Sequence, residues 1–110
     1  MIVLALALLA QAAIPAPAPI AGPRTPQQNW EERCIACHGD DGKAQTKKGK
    51  ELKATDFTSG HFQHHMSDEK IVRIITNGIK KKKMPAFKDR LSPEEIQAMV
   101  PYLRAFAAQK

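Results

Sequence analysis

The sequence has no charged side chain before residue 22, because all 17 Lys and Arg and all 11 Asp and Glu follow Ala21. It has only two cysteines, Cys34 and Cys37. A bridge between them would close a loop too short to give a disulfide leverage, which excludes a disulfide-rich scaffold. No stretch alternates apolar and polar residues as a strand does. No pair of acids accompanies a nucleophile and no glycine-rich loop could cradle a phosphate, so no enzymatic turnover is expected. Apolar residues are scarce as well. Of 110 residues 43% are hydrophobic, and 17 of these fall in the first 21, which leaves roughly 30 in the remaining 89. That is thin for the core of so small a domain, which then needs a staple, a metal or a cofactor. The length allows one domain and excludes a multidomain enzyme or a polytopic membrane protein.

The N-terminus stands apart from the rest. Met1 to Ala10 is continuously apolar, about 15 Å as a helix and half of a bilayer's hydrocarbon thickness. This suits the apolar region of a secretory signal, although no Lys or Arg precedes it. Residues 1–18 are therefore expected to be a signal peptide, with small residues at Ala12 and Ala18 marking alternative cleavage sites. Five of the eight prolines lie between Pro15 and Pro26, so residues 19–25 are expected to form an extended linker. Residues 26–110 would be the domain, exported from the cytoplasm. An uncleaved leader would instead be a membrane tether.

Three helix starts follow. Thr25-Pro26-Gln27-Gln28 combines a capping hydroxyl, a proline in the first turn and a capping-box Gln. The spacing predicts a helix through Trp30 and Cys34 to His38, ending at Gly39. Ser67-Asp68-Glu69 begins a second, with Ile71, Ile74 and Ile75 on one face and Asn77-Gly78 as its end. Ser92-Pro93-Glu94-Glu95 begins a third, with Ile96, Met99, Val100, Leu103 and Phe106 as its stripe; Pro101 inside it removes a hydrogen bond and predicts a kink. The fold class is all-α. Between the first two helices, residues 39–66 form a long loop in which Gly49 to Ala54 could make one helical turn. Few anchors beyond Leu52, Phe57 and Phe62 serve it, so it needs a non-protein surface to pack on.

Cys34-Ile35-Ala36-Cys37-His38 supplies the reason for such a surface. C-x-x-C-H is the attachment signature for c-type haem. Positions i, i+3 and i+4 share a helix face, so two thiols can form thioethers with the porphyrin vinyls while the adjacent imidazole reaches the iron. A thioredoxin-type dithiol would need a βαβ context, which is missing. A zinc site recruiting His61 and His65 would need a far shorter gap from Cys37. For a second iron ligand the residues alone offer His61, His64, His65, Met66, Met84 and Met99. Met99 belongs to a core stripe, whereas Met84 sits in a loop before Pro85 with no helix face to serve.

With those segments in view, residues 25–108 resemble the small bacterial class I cytochromes c. The resemblance rests on Cys34-Ile35-Ala36-Cys37-His38-Gly39, Thr76-Asn77-Gly78, Met84-Pro85-Ala86-Phe87 and Leu91-Ser92-Pro93-Glu94-Glu95-Ile96 leading into Tyr102-Leu103. It implies a cytochrome c-like fold of three main helices with loops wrapped around one haem c, bound covalently by Cys34 and Cys37. His38 would be the proximal ligand and Met84 the distal one. It also implies that the first and last helices cross, with Trp30 and Tyr102 at the contact. The function implied is one-electron transfer between exported or membrane-bound redox partners, most simply in the bacterial periplasm by a monomer. Thioether sulfur favours the ferrous state and raises the potential.

Two arrangements compete. A haem subunit, or a site that binds or senses a small ligand, would need Met84 to be labile or absent from the iron. A bis-histidine carrier would use His61, His64 or His65. The remaining feature is the run Lys80, Lys81, Lys82 and Lys83, in a chain of formal charge +6. Beside Met84, these lysines are expected to dock acidic redox proteins rather than nucleic acid, since no aromatic interleaves them for base stacking.

Overall fold

The computed structural model describes Val3 and residues 23–109; the expected signal peptide and most of the linker lie outside the described residues. The chain is helical as expected. Helices run over Pro26–Asn29 (α1), Ile35–His38 (α2), Lys47–Leu52 (α3), Gly60–His65 (α4), Asp68–Asn77 (α5) and Pro93–Ala105 (α6). A π-helical turn, Trp30–Cys34, joins α1 to α2 without a break. Short 3₁₀ turns cover Lys80–Lys82 and Phe106–Gln109. Among the described residues, β-structure is limited to an isolated bridge between Ile79 and Met84.

The three anticipated helix starts form for the anticipated reasons. Thr25 and Ser92 each head a capping box with Pro next in the chain, and the Ser67 hydroxyl accepts from the Lys70 N–H. Gly39 and Gly78 end their helices at φ +77 and +71, a region open to glycine. Helix α6 continues through Pro101 to Ala105. The segment from residue 39 to 66 differs from the long loop expected. It contains α3, near the turn anticipated at Gly49, and α4, which periodicity did not reveal because Gly60 to His65 offers only Phe62 as a large apolar residue. Their caps are local: Thr46 accepts from the Gly49 N–H and Ser59 from the Phe62 N–H.

The core lies where the first helical stretch crosses α6. Trp30 is 2% exposed, and its ring lies 5.6 Å from Tyr102 and 4.8 Å from Phe106 between centroids. Beside it Asn29, wholly buried, donates from Nδ2 to the Glu95 carboxylate at 3.1 Å. That carboxylate also accepts from the backbone N–H groups of Ser92 and Arg24. The Ser92 hydrogen bond foremost, opposed by partial desolvation, holds its pKa below the usual carboxylate range. One charged oxygen pair thus ties the first helix to the start of the last.

Candidate functional site

A cavity open at one side lies between the first helical stretch, the 47–57 segment and the loop after α5. Its wall is mostly apolar, with Leu52, Phe57, Ile75, Ile79, Phe87 and Leu103 among its residues. Cys34, Cys37, His38 and Met84 line the same cavity.

Each is held there by the backbone around it. The π-turn gives the stretch before Cys34 one extra residue per turn, a feature common at functional sites. Burial, opposed in part by Arg33, pushes the Cys34 thiol up to about 11, so it is neutral near pH 7. The Cys37 carbonyl accepts from the Thr46 hydroxyl at 2.8 Å, and the His38 carbonyl from the Ala44 N–H at 2.9 Å. Gly49 allows this closeness, since a Cβ there would overlap the Cys37 carbonyl oxygen.

The His38 ring is oriented from two sides. Its Nδ1 lies 3.0 Å from the Thr55 carbonyl oxygen, an acceptor only, so Nδ1 carries the proton and Nε2 keeps a free lone pair. Phe57 stacks on the ring at 4.4 Å between centroids. Desolvation lowers the imidazole's pKa, against the opposite pull of the Thr55 hydrogen bond, and favours the neutral form that ligates metals.

Met84 is returned to the cavity by a reciprocal pair of backbone bonds with Ile79, at 3.0 and 3.1 Å. Phe87 N–H then donates to the Ile75 carbonyl at 3.0 Å, which closes the loop onto α5. The turn fits because Gly78 has no side chain: a Cβ there would stand 2.5 Å from the Met84 carbonyl oxygen.

Of the other residues considered for the iron, Met99 lines the cavity and is 2% exposed within the core. His61, His64, His65 and Met66 are not among its lining residues. The three histidines are exposed, on a helix rather than in a loop. Lys80 to Lys83 are exposed, and Lys82 and Lys83 reach the cavity wall. Residue patterns could not reveal Thr55, which acts through its carbonyl, nor Arg33, a cavity residue whose buried Nε has no hydrogen-bond partner among the described residues.

The donor set fits a covalently held haem. Two thiols, an imidazole with one nitrogen occupied and a thioether share an apolar cavity, and an unpartnered buried donor stands in the wall where an acidic group could satisfy it.

Comparison with known proteins agrees with that fit. A model of the family described as "Cytochrome C oxidase, cbb3-type, subunit III" matches residues 21–103. The FixP subunit of the cbb3-type cytochrome c oxidase of Bradyrhizobium sp. (strain ORS 278) is 33% identical over 81 residues, 74% of this chain and 26% of that protein. Cytochrome c6 of Leptolyngbya boryana is 40% identical over 74 residues, 67% of this chain and 80% of the relative. Among solved structures, the KustC0563 c-type cytochrome superposes with a TM-score of 0.70 at 36% identity, covering 76% of this chain and 98% of its own. The chain thus spans about a quarter of the FixP relative but most of the small single-domain cytochromes.

Proposed function

We propose, from the premise that this chain belongs to the cytochrome c family represented by subunit III of cbb3-type oxidases, that Cys34 and Cys37 hold its haem, with His38 and Met84 as axial ligands. The protein is an electron carrier with a covalently bound haem c, of the small class I cytochrome c kind. Haem c, when bound, supplies one-electron exchange between its ferric and ferrous states.

The observation that carries the ligand assignment is the meeting of Cys34, Cys37, His38 and Met84 in one apolar cavity. Thr55 fixes the proton on His38 Nδ1 and so presents Nε2 to the iron. Met84, a neutral soft donor, would complete a closed coordination sphere with no vacancy for substrate. The apolar wall excludes water and disfavours the more charged ferric state, raising the potential.

The partners we propose are acidic redox proteins, met by the run Lys80 to Lys83, whose last two members reach the cavity wall. The cbb3 relatives are oxidase subunits by name, and a dedicated terminal oxidase is one such acceptor. Among the described residues no helix is long and apolar enough to cross a membrane. We propose export, with residues 1–18 as the signal, and N-terminal sequencing of the exported protein checks it: retention of Met1 would mean a tether.

The ligand assignment is tested with Met84→Ala. The wild-type ferric protein should show the weak far-red absorption band of methionine bound to ferric haem, and the variant should lose it and bind carbon monoxide readily when reduced. A wild type without the band, and open to carbon monoxide, would overturn the His/Met assignment and leave the covalent attachment standing.

A further inference from the structure

His61 and His65 lie four residues apart on α4, both exposed and away from the cavity. Their ring centroids are 4.7 Å apart, with the planes tilted by 40°. We propose that this pair chelates one divalent transition ion, of the Zn2+ and Cu2+ class, at a surface site separate from the haem.

The spacing carries the argument. An imidazole nitrogen sits about 2.0–2.1 Å from zinc, which puts the ring centroid about 3.2 Å from the ion. Two rings with centroids 4.7 Å apart then subtend about 95° at a shared ion, between the square and tetrahedral angles open to such metals. Side chains four apart on a helix are neighbours on one face, and here the two rings stand at the separation that a shared ion requires.

The helix under them is pinned. Phe62 is buried on its inner side, and Gln63 Nε2 donates to the carbonyls of Phe57 and Leu103 at 2.8 and 3.1 Å. Arg104 donates to the Gln63 carbonyl at 3.1 Å. The backbone carrying both imidazoles is therefore held before any ion arrives, which lowers the ordering cost of binding. Among the described residues no group of three or more His, Cys, Asp and Glu could hold a metal, so water fills the remaining positions and the ion exchanges freely. Imidazole pairs select borderline ions over Ca2+ and Mg2+, and Cu2+ over Zn2+. Neither histidine lines the haem cavity, so the site rests on the proposed His38 and Met84 ligation only in leaving this pair free.

The test is calorimetric titration of the haem-loaded, tag-free full chain with Zn2+, and with Ca2+ as a comparison. One Zn2+ should bind per chain and Ca2+ should not. His61→Ala and His65→Ala should each weaken Zn2+ binding by at least about tenfold, about 1.4 kcal/mol, with the haem spectrum unchanged. His64→Ala should leave it unaltered. Wild-type affinity in either the His61 or the His65 variant, the same loss in His64→Ala, or no saturable binding up to about 1 mM Zn2+ would each overturn the pair as the site.

Discussion

Helix α6 and the 39–66 segment feed one core but lean on the cavity to different degrees. In α6, Ile96, Val100 and Leu103 pack into a protein core that also holds Trp30, Phe106 and Ile71. The 39–66 segment has two short helices of six residues each and buries Phe57 and Phe62. Its Leu52, Ala54 and Thr55 border the cavity instead. Within α6 Met99 and Leu103 touch the cavity while the rest of the stripe is closed by protein, whereas the 39–66 segment is closed on one side by protein and on the other by what fills the cavity. A six-residue helix is too short to stand by itself, so the order of the second region depends on the haem far more than that of the first.

The largest effect should come from removing the attachment. The double variant Cys34→Ala, Cys37→Ala is expected to lose its haem and most of its helical circular dichroism, because cofactor binding energy is here folding energy. A cooperative melt with near-native helix in the haem-free protein would show that α6 and its partners close without the cavity, and would break the comparison.

Gly78→Ala should act more locally. The residue sits at φ 71 and ψ −176, a region essentially reserved for glycine and worth about 1–3 kcal/mol in strain. A Cβ would also meet the Met84 carbonyl at 2.5 Å. Thermal unfolding of the loaded protein should move down accordingly, and the far-red methionine band should weaken as the Met84 turn shifts. Loss of stability with an unchanged band would assign the strain to the end of α5 alone.

The smallest structural effect belongs to the lysine run beside the cavity. Lys81→Glu with Lys82→Glu should leave stability and the haem spectrum alone, since both side chains are exposed. Electron transfer to an acidic redox protein should slow severalfold at low salt. The deficit should shrink near 1 M salt, where the Debye length is about 3 Å. Equal rates at low salt would move the docking face elsewhere on the molecule.

Much of this was legible along the chain because it is written in short-range chemistry. The helix starts at Thr25, Ser67 and Ser92 depend on a hydroxyl and a backbone N–H three residues on. The attachment motif depends on the i, i+3, i+4 geometry of a single turn, and Met84 beside Pro85 had no other structural duty. Helix α4 was hidden because six residues with one large apolar side chain carry almost no periodic signal. The histidines on it could be counted beforehand, but not seen to face away from the cavity.

By itself, then, the order of residues determined the helical class, the three capped helices and the need for a cofactor, since each follows from local capping, spacing or a shortage of apolar residues. Only the tertiary structure decided that Thr55 fixes the His38 tautomer, that Gly49 and Gly78 admit the Cys37 and Met84 backbones, and that the His61 and His65 rings stand 4.7 Å apart. The first of these contacts spans seventeen residues and uses a carbonyl that every amino acid possesses. The close approaches at the two glycines depend on where one backbone passes another, which no neighbouring side chain announces.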